Sequence, residues 1–158
     1  MKEFKKTREI DFSWNEVAKG LFRKFENEIH FQELIVDVRE VPDGLEIVKV
    51  KVPDQKNPPT LMGVRLKEEK CSVSLVRYDL NKKVIGHWER ILSPGKSEED
   101  EREFLSYREI APRKVEYNKY QICSSRWRYW LLKPMDRYGF NLLIKKINEV
   151  VQEQRKSS

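Results

Sequence analysis

Between two segments of helical period lies a run of β-rich stretches joined by hairpin turns, and that order limits the folds open to the chain. Ser13-Trp14-Asn15-Glu16 is a capping box, with Ser at the N-cap and Glu three residues on. Trp14, Val17, Ala18, Leu21, Phe22 and Phe25 follow at spacings of three and four, which predicts an amphipathic helix running to about Asn27, with Trp14, Val17, Leu21, Phe22 and Phe25 on its core face. At the other end, Pro134 stands where a helix should begin. Met135, Tyr138, Leu142, Leu143, Ile147, Val150 and Val151 then recur at helical spacing.

The stretches between them read as strands. Leu34, Val36 and Val38 alternate with Glu33, Asp37 and Arg39. Pro42-Asp43-Gly44 is turn chemistry. Leu45 to Val52 then places Val48, Val50 and Val52 on one face and Lys49 and Lys51 on the other. Ser72 to Tyr78 pairs with Val84 to Leu92 around Asn81, and Phe104 to Ile110 pairs with Val115 to Ile122 around Ala111-Pro112-Arg113. Lys2 to Asp11 reads as a first strand. Pro94 to Glu101 reads as a solvated loop, and Pro53 to Gly63, with Pro58, Pro59, Leu61 and Met62, as a lid or binding loop.

Strands joined by hairpins pair antiparallel. The expected fold is therefore α+β: a curved antiparallel sheet of about six to seven strands gripping a long C-terminal helix, with an N-terminal helix after the first strand. A helix across a curved sheet leaves a cavity between them, the design of a helix-grip container. One domain over residues 1–155 with a tail of 156–158 suits a chain of 158 residues.

Composition narrows the function classes. The net charge is +6, and the six residues from Glu98 to Glu103 contribute −4, so the remainder carries +10. Such a surface favours polyanions: anionic lipid, nucleic acid or an acidic partner. No apolar stretch approaches the ~20 residues of a membrane span. The charged start, Met1 to Asp11, has no apolar core of a secretory signal, and its acids argue against a usual mitochondrial presequence. Cys71 and Cys123 do not make a disulfide scaffold, though one bridge remains open.

Catalytic signals are weak. The glycines form no phosphate loop, so no nucleotide cofactor is expected. His30, His87, Cys71 and Cys123 match no zinc spacing, so no metal is expected either. Asp37, within Ile35-Val36-Asp37-Val38, reads as a hydrogen-bonded structural residue if it is buried. Arg126-Trp127-Arg128-Tyr129-Trp130 could stack on single-stranded nucleic acid, or could send its aromatics into the core while the arginines stay wet.

Several of these residues together resemble the PRELI (PRELI/slowmo) family. They are Phe12-Ser13-Trp14, Glu16-Val17, Lys24-Phe25-Glu26-Asn27, His30, Val36-Asp37-Val38, Asp43-Gly44, and Phe140, Ile144, Lys145 and Lys146 on the last helix. The chain is similar to a divergent member: Glu26-Asn27-Glu28 replaces the family's Pro-Asn-Pro, Leu143 its last-helix Asn, and the lid segment is shorter. The resemblance implies binding of one phospholipid, such as phosphatidic acid, and its transfer across the mitochondrial intermembrane space without reaction. A small cysteine-rich helical-hairpin protein would be the partner. Lys24, Lys49, Lys145 and Lys146 are then the candidate headgroup ligands, with Lys146 the more inward of the last two because it lies nearer the apolar stripe. Two alternatives stay open: a basic nucleic-acid-binding module, and a helix-grip protein for another apolar ligand.

Overall fold

A computed structural model describes residues 2–24, 31–54, 60–61, 64–65, 71–92, 101–123 and 126–158. Seven strands form one antiparallel sheet in the order β1-β9-β8-β7-β6-β3-β2. They are β1 (Lys2–Ile10), β2 (Phe31–Val41), β3 (Gly44–Pro53), β6 (Cys71–Asp79), β7 (Val84–Leu92), β8 (Glu101–Ala111) and β9 (Lys114–Cys123). Two short strands, β4 (Thr60–Leu61) near the end of the expected lid and β5 (Val64–Arg65) just beyond it, pair with each other. Helix α1 (Trp14–Phe22) follows β1, and α2 (Arg126–Lys156) ends the chain. The α+β architecture expected from the hairpin order is the one observed. Pro58, Pro59 and Met62 lie outside the described residues.

The capping box forms at α1: the Glu16 N–H donates to Ser13 Oγ at 3.2 Å, and the Ser13 N–H donates to Glu16 Oε1 at 2.9 Å. Trp14, Val17 and Leu21 are buried as their spacing predicts. The helix stops at Phe22, short of Asn27, and Phe22 is half-exposed rather than in the core. Phe25 lies outside the described residues. The early stop has a local cause. Arg23 leaves the helical conformation, and its guanidinium is drawn to Glu153 at 2.7 Å. Gly20 lets α1 close on α2, since a Cβ there would come within 2.5 Å of Ile147 Cγ1.

Helix α2 begins at Arg126, two turns before Pro134, which sits inside it. Leu131 and Leu132 are buried, so packing of these early turns outweighs the missing proline N–H. Tyr129 and Trp130 point outward, Trp130 at 78% exposure, so the aromatics of this stretch do not all enter the core. Leu143, Ile147 and Val150 are buried along the expected stripe, while Tyr138 is exposed. Asp37 is exposed beside a bulge in the edge strand β2, so it needs no buried partner. Cys71 and Cys123 form no disulfide.

One end of the interior is apolar. Ile10, Trp14, Val17, Leu21, Ile47, Val76, Ile85, Leu105, Val115, Leu143 and Ile147 pack there with Tyr78, Tyr107 and Tyr117. Glu101 and Glu103 are not loop residues. Both belong to β8, and Glu101 is buried.

Candidate functional site

Side chains alternate between the two faces of a strand, so one step of two residues along each strand stays on the inner face. On that face the apolar end gives way abruptly to charge. Ile47 is followed by Lys49, Val76 is preceded by Ser74, Ile85 is followed by His87 and Glu89, and Leu105 is preceded by Glu103. Register turns this into a continuous row: Lys49 pairs with Ser74, Ser74 with Glu89, Glu89 with Glu103, and Glu103 with Gln121. Five adjacent strands thus place five polar residues side by side inside the fold, of which Lys49, Ser74, Glu89 and Gln121 are buried.

Buried charges must be paired, and these are. Lys49 meets Glu33 at 2.9 Å, and Lys51 meets Glu89 at 3.1 Å. Lys119 reaches Glu103 at 3.4 Å and Asp136 of α2 at 3.5 Å. Asp136 also accepts from the Tyr117 hydroxyl at 2.9 Å and pairs with Arg8 at 2.8 Å. The Arg8 guanidinium lies over the Phe140 ring, 4.4 Å from its centre.

Lys24 enters this group from the turn that ends α1. With Arg23 turned out toward Glu153, the next side chain turns in. Its Nζ lies 3.4 Å from where a Cβ at Gly139 would stand, which places the ammonium against α2. Burial, and then the like charge of Lys51, pull the Lys24 amine down to about 8. Burial lowers the His87 imidazole to about 4, so it is neutral at physiological pH, and neither ring nitrogen has a hydrogen-bond partner among the described residues. Burial alone would raise Glu89, but Lys51 and His87 outweigh it and hold the carboxyl at about 2. Burial pushes Tyr78, Tyr107 and Tyr117 upward, keeping their hydroxyls protonated.

Of the four lysines singled out in the sequence, Lys24 and Lys49 are brought together here. Lys146 is buried and Lys145 exposed, the orientation expected from the stripe, but Lys146 pairs with Glu149 at 3.3 Å rather than with the interior cluster. Sequence reasoning missed Lys51, Lys119, Glu33, Glu89, Glu103 and Arg8. Their signal was the alternation itself, which sets charges on one face of each of several consecutive strands.

Solved structures share this fold. An aromatase/cyclase, Zhui from Streptomyces sp. R1128, aligns over 95% of both chains at 9% identity with a TM-score of 0.64. Norcoclaurine synthase from Thalictrum flavum, solved with dopamine and hydroxybenzaldehyde, aligns over 96% of this chain and 87% of its own at 7% identity, TM-score 0.55. The di-domain aromatase/cyclase BexL aligns over 96% of this chain and 48% of its own, at 12% identity and a TM-score of 0.54.

The fold is a helix grip.

These likenesses correct one expectation. The sequence pointed to a carrier without reaction, yet the helix grip of these neighbours serves enzymes. No family model and no curated protein matches the chain. No helix among the described residues is long and apolar enough to cross a membrane.

Proposed function

We propose that the chain binds one amphipathic molecule with an anionic head in its interior, a phospholipid such as phosphatidic acid, and carries it between membranes. The observation that carries this reading is the buried polar row with Lys24, Lys49 and Lys51 converging on it from α1 and β3. A cavity for a wholly apolar ligand gains nothing from such a row, because each buried charge loses hydration. A phosphate entering among desolvated ammonium groups replaces part of that hydration with charge-assisted hydrogen bonds. The basic excess outside Glu98 to Glu103 supports approach to an anionic membrane. The resemblance to the PRELI family adds the mitochondrial intermembrane space as the setting and a small helical-hairpin protein as the partner.

Native mass spectrometry of the chain purified from cells tests this. The expected result is a second species heavier by the mass of one phospholipid, reduced in Lys24→Glu. Protein that carries no lipid, and takes none from vesicles containing phosphatidic acid, overturns the reading.

A second reading rests on Lys24 alone. An interior amine lowered to about 8, facing Glu89 and Glu103, is suited to act as a base or nucleophile on a bound substrate. The enzyme folds among the structural neighbours support it. Reductive trapping of a carbonyl compound on Lys24, absent in Lys24→Arg, would favour it over carriage.

A further inference from the structure

The early turns of α2 have two unlike sides. The inner side carries Leu131 and Leu132, both buried, and Asp136, which is held by Arg8 and Lys119. One turn further on, Gly139 stands against the Lys24 ammonium. The outer side carries Arg126, Trp130, Lys133 and Arg137, spaced four, three and four residues apart and so on one helical face. All four are exposed, and Tyr129 is exposed at the edge of their stripe. Between Arg126 and Tyr138 the one acid is Asp136, and it is turned inward. No ion pair engages Arg126, Lys133 or Arg137 among the described residues. The rest of the helix differs. From Asn141 to Lys156 it has no aromatic residue, and its bases are interspersed with Glu149 and Glu153. Burial stabilises tryptophan more than almost any other side chain, yet Trp130 is 78% exposed where Trp14 is 2%.

We propose that this outer face of α2 seats the chain on an anionic lipid bilayer, with the Trp130 ring at the level of the headgroups and Arg126, Lys133 and Arg137 against their negative charges. The proposal rests on the carrier reading above and names the surface by which the carrier meets a membrane. Three bases within about 16 Å of helix, with no acid among them, complement a layer of anionic headgroups. An indole has an apolar body and one N–H, which suits the boundary between acyl chains and water. Single-stranded nucleic acid fits the face less well. In a helix Tyr129 and Trp130 point about 100° apart, so they make no platform for successive bases. The inner side of the same turns meets the charged interior through Asp136 and Gly139. A bilayer on the outer side therefore lies about one helix diameter, ~10 Å, from that interior.

Sedimentation of the full chain with vesicles tests the face. The probes are phosphatidylcholine vesicles with and without phosphatidylserine. The chain should pellet with the anionic vesicles, be released as salt is raised, and stay in solution with pure phosphatidylcholine. Arg126→Gln, Lys133→Gln and Arg137→Gln together should weaken binding about a hundredfold, at roughly fivefold for each charge removed. Lys19→Gln, Arg39→Gln and Lys82→Gln together remove the same charge from exposed positions elsewhere, and should weaken it less than about threefold. Trp130→Ala should bind roughly fivefold more weakly. Vesicles of brominated phosphatidylserine should quench the tryptophan emission of the wild type, and Trp130→Ala should lose most of that quenching.

Equal losses in the two triple variants mean that net charge acts without a face, and overturn the inference. So does unweakened binding by Trp130→Ala with its quenching intact, equal binding to pure phosphatidylcholine, or no binding to either vesicle. Oligodeoxythymidine bound more tightly than the anionic vesicles through the same side chains overturns it in favour of nucleic acid. The altered side chains are all exposed, so the fold should hold, and circular dichroism checks it. Should the triple variant of the face not fold, its three single variants carry the test, each with a loss of about fivefold. Native mass spectrometry of the same proteins separates docking from carriage. A chain that carries phospholipid and binds vesicles without the face overturns this inference alone. A chain that docks through the face and carries no phospholipid overturns the carrier reading and leaves the face in place.

Discussion

Two neighbouring rows of the same sheet have opposite characters. The inner row runs Lys49, Ser74, Glu89, Glu103, Gln121. One residue away on each strand, the outer row runs Val48, Leu75, Trp88, Phe104, Tyr120. The polar row is inside, and the apolar row lines an open groove of about 680 Å³ on the outer surface, with the Trp88 and Phe104 rings tilted against each other, their centres 5.4 Å apart. A sheet in a water-soluble fold ordinarily turns its apolar face inward. Here that holds at the α1 end, where Ile47, Val76, Ile85 and Leu105 face in, and it inverts beyond them. Stability alone does not favour such an inversion, because each buried charge loses hydration.

The largest expected effect comes from breaking the inner row. Glu89→Ala takes from Lys51 its carboxylate at 3.1 Å and should cost ~3 kcal/mol in denaturant titration, since removing one member of a largely buried ion pair leaves the other poorly compensated. Replacing both partners, Lys51→Met with Glu89→Leu, should recover most of that loss while abolishing binding of the anionic lipid. If the single change costs under ~1 kcal/mol, the row is wetter than its burial indicates.

Next comes Lys24. Its amine is lowered to about 8 from 10.5, so between those values the unfolded chain binds more protons and stability rises with pH. Below pH 8 the full cost of burying the charge is present. Lys24→Met should therefore stabilise the protein at pH 7, by ~1–3 kcal/mol, remove the rise above pH 8, and eliminate anion binding. A less stable Lys24→Met would place the ammonium in water instead.

Acid should act through His87 and Glu89 in successive windows. His87 is lowered to about 4, so between pH 6.5 and 4 the unfolded chain takes up a proton that the native one does not, and stability falls as pH is lowered. Glu89 contributes stability that is present above pH 4.5 and lost as pH falls through about 2. In His87→Phe the loss between pH 6.5 and 4 should shrink, and an unchanged profile would assign it elsewhere. The smallest effect belongs to the outer row: Trp88→Ser should change stability by less than ~1 kcal/mol, because its ring is already half in water. A loss as large as that of Glu89→Ala would erase the contrast between the rows.

Much of this was legible beforehand. The capping box and the Trp14, Val17, Leu21 stripe place α1, and the turn at Asp43-Gly44 and the alternation around it place β2 and β3, because both signals involve residues only a few positions apart. Lys24 and Lys49 could be nominated from the resemblance, but their partners could not. Glu33, Glu89, Glu103, Lys119 and Asp136 lie on five different elements, and only the sheet register and the path of α2 bring them together.

The local pattern determined where helices and strands lie and that each strand has two unlike faces. It could not say which face turns inward, because alternation in β3 is the same whether Val48 or Lys49 meets the core. That was decided by the curvature of the whole sheet and by the helices that close it. Arg23 swings out to Glu153 and Lys24 swings in beside Gly139, and so the interior became a place for charge. A side chain's burial depends on every element packed over it, and that sum exists only once the chain has folded.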